Sequence, residues 1–137
     1  MPYEIFKNIP HQRVIGGQNM NDEIFDLYQC GIFHHQSAIE NIEFVELQPN
    51  ALYRPHYHKK SSAVIYIIYG LGRFQLGSRL LDYKPGMRID IPAGITHGFR
   101  TDTSTLFLSI QSPPIINTET NEIDLHYANG AGQDARS

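Results

Sequence analysis

Three histidines carry the clearest chemical signal in this chain. His56 and His58 flank Tyr57. Alternate residues of a strand project to one face, so the two imidazoles would point the same way. That geometry suits two nitrogen ligands on one metal ion. Taken alone, the pair fits surface imidazoles beside Lys59 and Lys60 better. His97 changes the balance. It follows Pro92-Ala93-Gly94-Ile95-Thr96, in which Pro-x-Gly marks a tight turn into a further strand. In a small barrel, a strand leaving that turn aims His97 inward at the first pair.

The elements that must position these side chains read as short strands. Ile42–Leu47 ends at Pro49-Asn50, and Ala63–Tyr69 ends at Gly70. Gly72–Gly77 and Met87–Ile91 alternate polar and apolar residues, and Phe99 and Thr105–Ile110 precede Pro113-Pro114. Runs of β-branched and aromatic residues punctuated by Gly, Pro, Asn and Ser predict an all-β sandwich or barrel. Helical periodicity is not sustained anywhere. One turn around Asn21–Tyr28 is the best helical candidate, with Asn19 or Asn21 as cap and Asp22 and Glu23 in the first turn. Ile24–Cys30 alternates equally well as a strand.

Composition narrows the function classes. The 137 residues make one domain, here read as 1–117 followed by a polar tail, 118–137, expected to fray. Hydrophobic residues at 41% and charged residues at 18% are globular composition. The net charge of −3 offers no basic surplus for phosphates, so nucleic acid is an unexpected partner. The longest apolar run, Ala63–Tyr69, falls far short of the ~18 residues of a membrane span. The first residues lack the pattern of a secretory signal. A lone cysteine, Cys30, suits a reducing compartment. The expectation is a cytoplasmic protein with no membrane partner.

At this point a resemblance becomes specific. Cupins share one motif, Gly-x5-His-x-His-x4-Glu-x6-Gly, and a second, Gly-x5-Pro-x-Gly-x2-His-x3-Asn. This chain reads Asn50-x5-His56-x-His58-x4-Ala63-x6-Gly70 and Gly86-x5-Pro92-x-Gly94-x2-His97-x3-Thr101. All internal spacings hold over positions 50–101, and the insert Leu71–Pro85 is short. The chain therefore resembles a single-domain cupin. The resemblance implies a double-stranded β-helix (jelly-roll) barrel, a metal held by His56, His58 and His97, and a homodimer paired through its sheets. Asn50 and Thr101 depart mildly from the pattern, and Asn tolerates the same turn conformations as Gly. Ala63 departs seriously. In metal-binding cupins the matching glutamate is usually the fourth ligand, and alanine coordinates nothing.

Two readings follow from that missing carboxylate. Three neutral histidines leave the charge of a divalent ion uncompensated, which favours an anionic or enolisable small-molecule substrate. Open positions then suit dioxygenase chemistry, with Fe²⁺ first and Ni²⁺, Zn²⁺, Mn²⁺ or Cu²⁺ also compatible with imidazoles. Alternatively the barrel binds or senses a small ligand without redox chemistry, or works as an isomerase or epimerase. Strand parity places Arg54 on the face of His56 and His58, where its guanidinium would hold a substrate carboxylate or else sit at the solvated rim. Gln75 is a second candidate, pointing inward near the metal. Tyr53 and Tyr57 fall on the opposite, outward face. Ala63, Ile65 and Ile67 should line the barrel, joined by Phe99.

The remaining motifs read as structural. His34 and His35 are adjacent, so at most one would enter the barrel, and a surface role fits better. His11 and His126 are expected in solvent. Cys30 has no base beside it in sequence. Gly70-x-Gly72 lacks the Lys-Ser or Lys-Thr of a phosphate loop.

Overall fold

In a computed structural model of the protein, the described residues are 9–15, 23–117 and 120–127, and they form strands and no helix. Asn19, Asn21 and Asp22, the first turn of the candidate helix, lie outside them, as do the opening segment and residues 118–119 and 128–137 of the polar tail. From Ile24 onward the ambiguous segment is a strand. Its alternating side chains can cover a core on one face only in the extended form.

Two antiparallel sheets face each other. The larger has the order β1 (His11–Ile15), β2 (Ile24–His35), β3 (Ala38–Leu47), β10 (Thr105–Ser112), β5 (Ser62–Tyr69) and β8 (Arg88–Ile91). The smaller has the order β13 (His126–Tyr127), β4 (His56–Tyr57), β9 (His97–Thr101), β6 (Gly72–Leu76) and β7 (Arg79–Tyr83). A two-stranded ribbon pairs β11 (Ile116–Asn117) with β12 (Glu122–Ile123). Neighbours distant in sequence, such as β10 between β3 and β5, show the crossing connections of a jelly roll.

The inner faces follow the period of two. On β3, Asn41, Glu43, Val45 and Leu47 are buried, and on β5, Ala63, Ile65 and Ile67. β10 contributes Phe107, Ser109 and Gln111. Each large aliphatic or aromatic side chain so enclosed contributes about 1.5–3 kcal/mol. Rings pack the space between the sheets, with Phe74 against Phe99 at 4.8 Å and Phe99 stacked on Phe107 at 5.0 Å. The inward set Ala63, Ile65, Ile67 and Phe99 agrees with the parity reading.

Tyr53 does not. It is buried, and its hydroxyl donates to the Ile24 carbonyl and accepts from the Gln48 amide. Strand parity fails because no continuous strand connects it to His56: β4 holds two residues, and Pro55 removes a ladder donor between them. The supposed tail also differs from its composition, since 120–127 contains β12 and β13.

Candidate metal centre

Backbone pairing brings the three histidines together. His56 on β4 is the cross-strand partner of His97 on β9, so their side chains are immediate neighbours on one face. His58 lies just past the end of β4. Ring centroids are 4.4 Å apart for His56 and His97, 5.1 Å for His56 and His58, and 5.1 Å for His58 and His97. A ligand nitrogen from each lies within 4.8 Å of the other two.

These separations fit one ion. With nitrogen about 2.1 Å from a metal, an imidazole centroid sits about 3.2 Å away. Two such rings subtending 90° are then about 4.5 Å apart, and at a tetrahedral angle about 5.2 Å. The hydrogen bonds agree. His56 Nδ1 lies 3.2 Å from the Arg54 carbonyl, His58 Nδ1 2.5 Å from that of Asp124, and His97 Nδ1 3.0 Å from that of Ile95. A carbonyl only accepts, so each Nδ1 carries the proton and each Nε2 keeps its lone pair. Fixing the tautomer through the outer nitrogen is what metal-ligating histidines require.

The electrostatics keep all three rings neutral. Burial lowers His97 to about 4, against the opposing pull of the Ile95 carbonyl. Burial holds His56 well below its ordinary value, reinforced by the charges that His97 and His58 would carry. His58 is lowered by burial against the Asp124 carbonyl. Neutral imidazole is the ligating form. Among the described residues no carboxylate joins the cluster, and Ala63 lines the adjoining cavity. The donor set is three nitrogens.

That cavity has a volume of about 180 Å³. Val45, Leu47, Ile65, Phe99 and Phe107 make most of its wall apolar, while Glu23 and Glu43 bring two carboxyls into it. Glu23 is pushed up by burial, partly offset by the Arg54 backbone N–H, which donates to it at 2.5 Å. Glu43 is likewise raised by burial, partly offset by bonds from Gln111, Asn41 and Gln29.

Sequence parity placed other residues less well. Arg54 does not line the cavity; its guanidinium carbon stands 3.8 Å from the centre of the Tyr127 ring, and Tyr127 forms the wall in its stead. Gln75 turns away, because fully buried Phe74 takes the inward position on β6 and the next residue must face out. Its amide donates to the Gly77 carbonyl at 3.3 Å. His34 and His35 are both exposed. His11 stacks on Tyr28 and bonds Asp26, and half-buried His126 bonds Asp124 at 3.2 Å. Cys30 is a free, exposed thiol, raised by burial and by Glu43.

The C-terminal segment was the largest omission. Leu125 and Tyr127 line the cavity, and β13 pairs with β4, setting Tyr127 opposite His56. The signal was present in Ile123-Asp124-Leu125-His126-Tyr127, which alternates apolar and polar residues as a half-buried strand does.

Comparisons with known proteins agree with this geometry. Residues 43–110 match the cupin domain family. No curated protein matches the chain significantly. Among solved structures, an RmlC-like cupin from Shewanella frigidimarina is 18% identical, with a TM-score of 0.64 over 79% of this chain and 86% of the other. A protein from Thermotoga maritima described as a predicted oxalate decarboxylase is 20% identical, with a TM-score of 0.62 over 76% and 92%. KdgF from a Halomonas species is 20% identical, with a TM-score of 0.54 over 64% and 79%. At such identities the likeness is one of fold. Two facing antiparallel sheets and these neighbours make the chain a jelly-roll barrel with the cupin fold, and its segment 43–110 is similar to the cupin domain family.

Proposed function

We propose that His56, His58 and His97 hold one divalent metal ion, and that the protein is a metal-dependent enzyme acting on a small anionic or enolisable organic substrate. The observation that carries this reading is the shared orientation of three neutral imidazoles, each tied through Nδ1 to a backbone carbonyl. A bound ion such as Fe²⁺ supplies a Lewis acid with open coordination positions. With no carboxylate in the ligand set, its charge stays largely uncompensated, which favours an anionic oxygen or sulfur ligand.

The chain's own residues supply the rest. Val45, Ile65, Phe99 and Phe107 exclude water from the substrate. Glu23 accepts the proton that an enolisable substrate releases. It lines the cavity and is anchored on the Arg54 backbone N–H, while His56 is anchored on the same residue's carbonyl. At about 180 Å³ the cavity lies below the ~300 Å³ at which pockets for drug-sized ligands begin. The substrate is small. Dioxygenation is the reaction class this donor set favours.

Metal content by plasma emission, on wild type and a His58→Ala variant, tests the first half. Equal near-zero content in both after reconstitution defeats it. Oxygen consumption by the Fe²⁺-loaded protein across β-diketones, thiols and catechols tests the second. Metal binding with oxygen uptake at background for every compound points instead to a ligand-binding protein or an isomerase.

A further inference from the structure

The cavity wall opposite the metal centre is built differently from its apolar surroundings. Glu43 on β3 and Ser109 on β10 are cross-strand partners. Both line the cavity, and Gln111 lines it beside them. All three are buried, at 8%, 4% and 4% exposure. Gln111 Nε2 donates to Glu43 Oε2 at 2.9 Å and to Ser109 Oγ at 3.1 Å. Asn41 Nδ2 donates to Glu43 Oε1 at 3.2 Å and to Gln111 Oε1 at 3.2 Å.

This network is incomplete in a particular way. Every bond just named is donated by an amide, and Ser109 enters only as an acceptor. Among the described residues its hydroxyl proton meets no acceptor, and Asn41 Oδ1 meets no donor. Glu43 Oε2 receives one bond and retains capacity for another. Buried polar groups left so are costly, and natural cores rarely keep them without a partner. Two cavity-facing groups therefore want a partner: one proton to give and one carboxyl oxygen to receive. A single ligand hydroxyl answers both, accepting from Ser109 and donating to Glu43. An ammonium could satisfy only Glu43, and a carboxylate or ketone only Ser109.

We propose that Ser109 and Glu43, braced by Gln111, form a hydroxyl-recognition site, so that the ligand carries an alcohol, enol or phenol group remote from its metal-binding end. The remoteness follows from the fold. His56 and His97 project from the smaller sheet and the polar wall from the larger, and facing sheets stand about 10 Å apart. The small side chain of Ala63 belongs to the same arrangement. It is the cross-strand partner of Gln111, so the carboxyl absent at position 63 is present two strands away on Glu43, outside the metal set. The inference deepens the reading of a metal-bound organic anion and takes only the other end of the ligand from it.

Matched acids test it by calorimetry on the full-length, metal-reconstituted protein: para-hydroxybenzoate against benzoate, and gamma-hydroxybutyrate against butyrate. At least one hydroxylated acid is expected to bind about tenfold or more tighter than its deoxy partner, the worth of a hydrogen bond to a charged group. Ser109→Ala and Glu43→Gln should each bring that ratio, read within the variant, below about threefold. Equal affinity within both pairs on wild type, undetectable binding included, overturns the proposal. So does a ratio that survives both variants. Should one variant fail to fold by circular dichroism, the other gives the same readout. Metal content measured alongside separates the failures. A full complement of metal with no hydroxyl preference sinks this site alone, whereas a chain that takes up no metal sinks the metal reading.

Discussion

His58 and Asp124 are tied to each other through both main chain and side chain. The His58 ring donates to the Asp124 carbonyl at 2.5 Å. The Asp124 carboxylate in turn accepts from the backbone N–H groups of Lys59, Lys60 and Ser61, at 2.7, 2.8 and 3.0 Å. The turn that follows His58 is thus held by the residue that orients its ring. Burial alone would raise the Asp124 carboxyl, but these three donors and His126 more than offset it and leave it lowered.

Asp124→Ala releases three N–H groups and loosens the segment carrying the His58 acceptor. The expected cost is about 2–3 kcal/mol by urea denaturation. Metal affinity should fall about 10–100-fold in a chelator competition, as for other outer-shell partners of ligating histidines. Asp124→Asn keeps one acceptor oxygen and should recover part of both. A folded Asp124→Ala protein with undiminished affinity would contradict the clamp.

Metal should stabilise the fold, because the unfolded chain does not hold three imidazoles around one point. At a free metal concentration 100 times the Kd, the gain is about 2.7 kcal/mol. For a domain of this size that is a rise of roughly 8–10 °C in Tm. Scanning calorimetry with and without EDTA measures it, and the shift should vanish in His58→Ala.

Without metal, the histidines make the protein acid-sensitive. An unfolded histidine takes its proton near pH 6.5, whereas folded His97 resists until about pH 4. Between those values the unfolded state binds more protons, so stability falls as the pH drops from about 6.5 to about 4. His97 alone contributes a loss on the order of 3 kcal/mol over that interval, and His56 and His58 act in the same direction. Denaturant midpoints at pH 7 and pH 5 in EDTA should differ accordingly. A flat profile would mean that these rings are more solvated than their positions imply.

Gly98 separates His97 from Phe99 where β9 runs against the segment leading to β4. A Cβ there would meet the Tyr53 carbonyl oxygen at 2.9 Å and the Pro55 Cα at 3.1 Å. Both are backbone atoms, which cannot swing aside as a side-chain tip would. Gly98→Ala should therefore push the chain entering β4 away from β9 and spread His56 from His97. A stability loss of about 1–3 kcal/mol is expected. A drop in metal affinity should accompany it, separable from the stability loss by measuring metal binding well below the melting temperature.

The strands around the site were legible in sequence because each has one buried face and a turn signal at its end. Val45, Leu47, Ile65, Ile67 and Ile89 all sit where alternation puts them. The histidines were legible because their spacing is short within each motif and the turn before His97 is marked by Pro92 and Gly94. Positions that depend on which sheet a strand joins were not legible. Gln75 was placed inward because parity leaves the choice of face open, and only the packing of Phe74 against Phe99 and His97 decides it. Tyr53 was placed outward because parity was carried across Pro55. Glu43, Ser109 and Gln111 read as ordinary polar residues until β10 lies beside β3, a pairing that joins positions almost seventy residues apart.

On the side away from β9, the partner of β4 is β13, the last strand described, and this ordering bears on how the protein is made. As the chain leaves the ribosome, His56, His58 and His97 are all available before the segment that braces two of them. Until Asp124 and Tyr127 emerge, His58 lacks its carbonyl acceptor and β4 presents an open edge. The bracing of the site is consequently complete only when nearly the whole of the chain described here has been translated.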